Sequence, residues 1–308
     1  MAIPDPSLIG TGNFFINPTD LVVDLSDSRK YSFVQQLGRQ VQFGYAGGRY
    51  FNVSDLQGGF VASEAGLKPV NNPATVKGAI SVQEWAVVVP IPKRLFQANP
   101  GNAIELIRER IPQAYARGFD DLATTGAGVS GQSNLSQVTK TVALGTASVA
   151  NGGLWADFNA GLRLLLKDKK NFTATVLDEV IEPDINSAVD LQGRPIWNDV
   201  PVGADSNSVT NGRLLRRPAA YVKGITQGAG PTETVGYMGD WDRLLWGQIG
   251  AMDFFVSQEG TYTDNLGVVH SAVQENLILF RAEALLGVQV ADPAAFVRVL
   301  NGTEPATS

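Results

Sequence analysis

The chain has 308 residues, of which 44 % are hydrophobic and only 18 % charged, and it carries a net charge of −6. That length supports one large or two moderate domains with a sizeable core. It contains no cysteine and a single histidine, His270, which excludes disulfides, thiolate sites and histidine-cluster metal sites; the acidic balance argues against a dedicated phosphate binder.

So few charges, together with 33 glycines and 16 prolines, imply that much of the surface is covered by neighbours and much of the chain runs in strands and loops. There is no run of eighteen apolar residues, and the opening MAIPDPSLIG does not have the pattern of a signal peptide. An intracellular chain without a membrane segment or an obvious active site is expected.

Residues 1–27 carry turn punctuation at Pro4, Pro6 and Asn17-Pro18 and predict an extended arm. A helix of two or three turns is expected over 26–42, capped by Ser26 or Asp27. Residues 44–92 change texture, glycine-rich and aromatic first and then β-branched, with alternation at Val76, over 79–82 and over 85–89. Two strands joined near 66–73 predict a long hairpin whose tip holds Lys68, Asn71 and Asn72. Such a ribbon has too few apolar residues to stand alone in water and should lie on a neighbouring subunit.

The dominant element lies over 99–126. Ile104, Ile107, Ile111, Tyr115, Phe119 and Leu122 recur three or four apart, the helical period. Asn99 or Asn102 can cap this helix, Pro112 should bend it, and Gly126 and Gly128 should stop it. At about 1.5 Å per residue it would run roughly 35 Å. Gly126, Gly128 and Gly131 then spell GxGxxG, but a helix precedes them and polar coil follows, which is the wrong setting for a dinucleotide site.

A second amphipathic helix is predicted over 154–169, with Trp155, Phe158, Leu162, Leu165 and Leu166 on one face. A buried strand over 173–177, a short helix over 183–191, a polar excursion over 193–208 and a strand over 212–225 follow. In that last strand Arg213, Arg216 and Arg217 make either a solvated face or a subunit contact. The remainder is β-rich: strands over 233–239, 244–249, 251–258 and 274–289, a turn at 264–267, and a closing run over 294–297.

Four strings in this order, VVVPIPKRLFQ, ERIPQAYARGFDDLATTG, VGYMGDWDRLLWGQIGAMDFFVS and LFRAEALLGVQVADPAAFVRV, resemble the major capsid protein of tailed bacteriophages, the Hong Kong 97 fold, across 44–300. The resemblance implies an α+β chain divided into an N-terminal arm with a short helix (1–43), an extended β-hairpin loop (44–92) and a peripheral domain around the spine helix (93–150). An α/β axial domain (151–243) follows, and closing strands with the tail (244–308) return to the peripheral domain. It implies a structural protein, not an enzyme, that self-assembles as homo-pentamers and homo-hexamers into an icosahedral head. That head would enclose double-stranded DNA, touched weakly and non-specifically. The implied partners are a portal and separate scaffolding or decoration proteins, with assembly in the bacterial host cytoplasm, residence in the virion, no cofactor and no membrane. An encapsulin-like nanocompartment shell shares the fold and is the nearest alternative. A soluble hydrolase using His270 is a rival from another class, unsupported by any GxSxG turn.

Some members of the family weld their shells by isopeptide bonds between a loop lysine and a neighbour's asparagine, assisted by a glutamate. Alignment on the Leu-Lys-Pro string puts Lys68 at the lysine position, and counting back from Pro293 puts Asn276 and Glu283 at the other two. The amine must be neutral to attack, and a nearby carboxylate must take its proton. The apolar run 277–280 would wall the site. Asn276 and Glu283 are seven apart, on opposite faces of a regular strand, so they would have to act from different subunits. Otherwise Lys68 is a solvated tip, Asn276 a turn residue and Glu283 a partner of Arg281 or another arginine.

Overall fold

The computed structural model describes residues 31–53, 60, 68, 70, 75–98, 103–129, 133–199, 210–264 and 266–302. Helix α1 (Phe33–Leu37) and strands β1 (Arg39–Gln40), β2 (Gly48–Val53), β3 (Thr75–Ile80) and β4 (Gln83–Pro92) lead into helices α2 (Lys93–Ala98) and α3 (Ala103–Thr124). Strand β5 (Thr141–Ala143), helix α4 (Gly153–Lys167), strand β6 (Ala174–Asp178) and helix α5 (Glu182–Ser187) follow. Next come β7 (Asn198–Asp199), β8 (Thr210–Leu214), β9 (Arg217–Val222) and β10 (Thr234–Gly239). The chain closes with β11 (Leu244–Ser257), β12 (Thr261–Thr263), β13 (Val269–Ser271), β14 (Leu277–Val290) and β15 (Phe296–Leu300). The class is α+β, in two compact units.

The larger unit comprises Arg29–Gln83, Ala116–Ile249 and Leu286–Ser308. Its centre is a seven-stranded sheet in the order β5-β15-β10-β6-β9-β8-β7. Every residue of β6 and β10 is buried, as a strand covered on both faces requires. Helix α4 lays Phe158 and Leu165 against Leu177, Met238, Val297 and Val299. Leu166, predicted for the same face, is exposed instead, because its direct neighbour Leu165 takes the inward direction.

Three aromatic rings continue the core. Trp241 meets Phe33 and Phe296 edge-on at 5.6 and 5.5 Å, and its indole N–H donates to the Ala174 carbonyl at 2.9 Å. Helix α1 is shorter than expected and begins later: Ser32 is its cap, accepting from the Gln35 N–H, while Ser26 and Asp27 lie outside the described residues. It stops at Gly38, where a Cβ would sit 2.6 Å from the Val34 carbonyl, and β1 then runs parallel to β11.

Strands β2 and β3 form an antiparallel ribbon from Gly48↔Ile80 to Val53↔Thr75. The two strands pair as the expected hairpin does, and most of its tip over 66–73 lies outside the described residues. Strand β4, whose alternation continues that of β3, belongs to the smaller unit and lies beside β14. The expected single strand over 212–225 is a hairpin, β8–β9, with Leu215 and Arg216 at φ +51° and +64° in a two-residue turn. Trp197 packs flat over β8, where Gly212 leaves room: a Cβ there would come within 2.2 Å of the indole.

Among the described residues the smaller unit comprises Glu84–Tyr115 and Gly250–Leu285. Ile91, Ile278 and Phe280 form its core, with Val89 and Phe96 packed against them, and Trp85 meets Tyr115 edge-on at 5.3 Å. Helix α3 runs 22 residues with Pro112 inside, about 33 Å at 1.5 Å per residue, and the chain turns at Gly126, φ +79°. The predicted strands over 244–249 and 251–258 are one strand, β11, which accommodates Gly250 at φ +68°. No helix among the described residues is long and apolar enough to cross a membrane.

Candidate functional site

Asn276 is an exposed residue in the turn just ahead of β14, at φ +54°, a conformation asparagine tolerates better than most side chains. Its carbonyl accepts from the Lys93 N–H at 2.9 Å. Along β14, Ile278, Phe280, Ala282 and Ala284 are buried, whereas Arg281 and Glu283 share the opposite, wetter face. On that face Arg281 Nε lies 2.8 Å from Glu283 Oε1, and its guanidinium sits 5.3 Å above the Phe255 ring. Because Asn276 is in a turn, strand parity does not fix which way its amide points.

Ile278 and Phe280 pack inward against Ile91 and Phe96, so the run expected to wall Asn276 serves the unit's own core. Asn276 and Glu283 thus share the smaller unit. Lys68 is exposed and belongs to the larger one, and its predicted companions Asn71 and Asn72 lie outside the described residues.

His270, which sequence alone presents as a lone surface histidine, is pinned on both ring nitrogens. Nδ1 lies 2.9 Å from Glu275 Oε1 and Nε2 3.4 Å from Asp264 Oδ2, with the ring stacked on Tyr262 at 5.0 Å. Glu275 and then Asp264 raise the imidazole pKa above its ordinary value. With a carboxylate at each nitrogen the ring favours the doubly protonated form, which cannot act as a general base. It clamps the β12–β13 hairpin. The signal for this lay in the spacing: Asp264 and Glu275 stand six and five residues either side of His270, across a turn.

A buried group elsewhere went without any sequence signal. Asp120 on α3 accepts from Ser32 Oγ at 2.7 Å and from the Val34 N–H at 3.3 Å, tying α1 to the long helix. Burial pushes its carboxyl up to about 8, outweighing those hydrogen bonds.

The chain also exposes large apolar side chains. Tyr45 and Phe51 stand out on or beside the β2–β3 ribbon, and Phe255, Leu266, Val269 and Val273 do so in the smaller unit. Where such side chains adjoin one another they mark protein–protein contacts. A spine helix, a partly exposed ribbon, a mixed sheet with its central strands β6 and β10 fully buried and exposed apolar side chains outside it fit a subunit that associates with others.

The comparisons agree. The phage capsid family matches residues 22–300, and the chain belongs to it. Its relatives include the probable major capsid protein gp17 of Mycobacterium phage D29, 29 % identical over 293 residues, covering 93 % of this chain and 90 % of the relative. The protein of the same description from Mycobacterium phage L5 is 28 % identical over 317 residues, covering 98 % and 95 %. Among solved structures, a chain from Mycobacterium phage Adephagia superposes with a TM-score of 0.68 at 13 % identity, covering 99 % of this chain and 100 % of that one. One from Gordonia phage Cozz gives 0.66 at 19 %, covering 89 % and 87 %. The capsid of a native GTA particle computed with C5 symmetry gives 0.61 at 16 %, covering 98 % and 100 %. At these identities the likeness establishes the fold, which is the Hong Kong 97 type.

Proposed function

We propose that this chain is a major capsid protein that self-assembles as pentamers and hexamers into an icosahedral phage head enclosing double-stranded DNA. The observation that carries this is the family match over 22–300, end to end with the described fold. The similarity to a GTA capsid computed with C5 symmetry supports a fivefold ring as one of its assemblies. In this reading the β2–β3 part of 44–92 is an extended loop over a neighbour while β4 at its end stays in the subunit's own sheet; 151–243 is the axial domain at ring centres, and 93–150 with 244–308 the periphery. Residues 1–43 are the arm.

A two-stranded ribbon is marginal alone, so the exposed Phe51 gains its burial in the shell. At roughly 25 cal/mol per Å² of apolar surface removed from water, overlap between neighbours is the main cohesive term. Contact with DNA is weak and non-specific, in keeping with the net charge of −6. A portal and separate scaffolding or decoration proteins complete the particle, which assembles in the host cytoplasm.

The crosslink belongs to the same proposal. Lys68 Nζ attacks the Asn276 side-chain amide carbon, a C–N bond forms, and ammonia leaves. Glu283 takes the proton from the attacking amine, through the oxygen that Arg281 leaves free, and passes it to the leaving amide nitrogen, which departs as ammonia.

Purified particles test both parts. Shells containing nuclease-protected DNA are expected, with multimer ladders on denaturing electrophoresis and a Lys68–Asn276 peptide lacking one ammonia. Glu283→Gln should abolish the ladders and leave the shells. A monodisperse monomer would sink the capsid assignment, and protein cargo in place of DNA would make the shell a nanocompartment. A single band at monomer mass from intact shells would remove the crosslink alone.

A further inference from the structure

The β8–β9 turn carries Arg213, Arg216 and Arg217, all exposed, and none has a side-chain ion pair among the described residues. Beside the turn opens a cavity of about 420 Å³. Trp155, Leu162, Ile196 and Leu215 give it apolar walls and Arg216 stands at its rim. The other cation there, Arg194, is already held by Asp190 at 2.7 Å. What remains is a cavity of mixed lining, with Asn159 and Asp190 beside the apolar side chains, and Arg216 at its rim without an ion pair among the described residues.

The complementary shape lies at the opposite end of the same sheet. Strands β6 and β9 run parallel from Thr175↔Ala219 to Asp178↔Val222, and the chain leaves β6 at Asp178 into a turn at Glu179–Ile181 and then α5. From Arg216 to Val222, at about 3.3 Å per residue, the two ends are roughly 20 Å apart. Val180 projects from this second turn, 67 % exposed, with Glu179, Glu182 and Asp184 exposed about it. Lys223, 3.6 Å from Glu179, is the one cation paired with these acids among the described residues. The turn is held firmly: the buried Asp178 carboxylate accepts from the Val180, Ile225 and Thr226 N–H groups.

We propose that the arginine turn and its cavity in one copy receive the acidic 179–184 turn of a second copy. Val180 enters among Trp155, Leu162 and Leu215, while Arg213, Arg216 and Arg217 meet Glu179, Glu182 and Asp184. The two surfaces sit at opposite ends of one sheet and cannot mate within a subunit. Contact between copies is therefore head-to-tail, the kind that closes into rings when the rotation permits. A phosphate backbone would use the arginines but leave Trp155, Leu162 and Leu215 without a partner; an acid-ringed aliphatic knob engages both. The inference rests on the shell reading and names the contact that builds its rings.

Charge reversal tests it in the full chain expressed alongside wild type, with particle yield read by sedimentation and folding by circular dichroism. Arg216→Glu with Arg217→Glu, and separately Glu182→Arg with Asp184→Arg, should each lower particle yield about tenfold or more, like charges now facing each other. The four changes together should restore yield to within about threefold of wild type, since complementarity returns with reversed sign. Where a reversal misfolds, Arg216→Gln serves instead and should reduce the salt sensitivity of assembly. Reversed chains assembling at wild-type yield would overturn the contact, as would folded reversals that the four-fold change does not rescue. Unchanged assembly with less packaged DNA would assign the turn to nucleic acid and overturn it too. If wild type itself forms no particles, the shell reading falls first and this contact with it.

Discussion

The seven-stranded sheet and the β2–β3 ribbon belong to the same unit and draw on similar β-branched and aromatic residues, yet they use them in opposite ways. In β6 and β10 every residue is buried, with α4 laid across the sheet. In the ribbon, Phe51 stands opposite Lys77 and both face solvent. The sheet spends its apolar surface on the subunit's own stability. The ribbon buries Ile80 at one end but leaves Phe51 in solvent, and in the proposed shell that ring would be covered by a neighbour.

The strongest way to break this contrast is at the sheet. Phe158→Ala should destabilise the unassembled chain by about 3–5 kcal/mol in urea unfolding, since the ring is fully buried and the cavity cannot collapse between α4 and the strands. Next comes Asp120. Its folded-state value of about 8 is raised above the ordinary 3.8, so the folded chain holds an extra proton between them. The contribution is therefore full below about pH 4 and is lost as pH rises to about 8. Asp120→Asn should flatten that slope in melting temperature against pH, and a slope unchanged in the variant would place the proton elsewhere.

Phe51→Ser should move unassembled-chain stability by less than about 0.5 kcal/mol while lowering particle yield. If it costs as much as Phe158→Ala, the ribbon is part of the subunit's own core and the contrast collapses. The smallest effect is expected at His270. Glu275 and Asp264 raise its pKa, so their clamp is complete below the ordinary histidine value of 6.5 and loosens as pH passes the raised one. Amide protection in β12 and β13, taken relative to the intrinsic base-catalysed rate, should fall over that rise, and His270→Gln should remove the fall.

Sequence periodicity finds α3 because Ile111, Tyr115, Phe119 and Leu122 repeat at helical spacing and glycine follows. It finds β6 and β10 because apolar runs need no partner to be seen. It fails where alternation runs on unbroken: Ser81 and Val82 give no turn signal between β3 and β4, so one hairpin is inferred where the chain passes on to a second sheet. It fails again at α1, because the Ser32–Asp120 bond joins residues 88 apart and no local pattern encodes it. The crosslink residue types are legible through the family resemblance. Their geometry is not, since it would be created between chains. The arginine trio was visible as charge, but its hole is not: Trp155, Leu162, Ile196 and Leu215 come together only through the fold.

The β8–β9 turn has a consequence for anyone engineering this subunit. Leu215 and Arg216 occupy left-handed conformations, each costing about 1–2 kcal/mol relative to residues at home there. A stability-minded designer would write Asn-Gly at these two positions, the preferred pair for such a turn. That change should yield a hardier monomer and a poorer building block, because it trims the hole and removes the rim cation together. Selection for thermal robustness and selection for particle yield should therefore pull these two positions in opposite directions, and a library sorted on each trait in turn would separate there first.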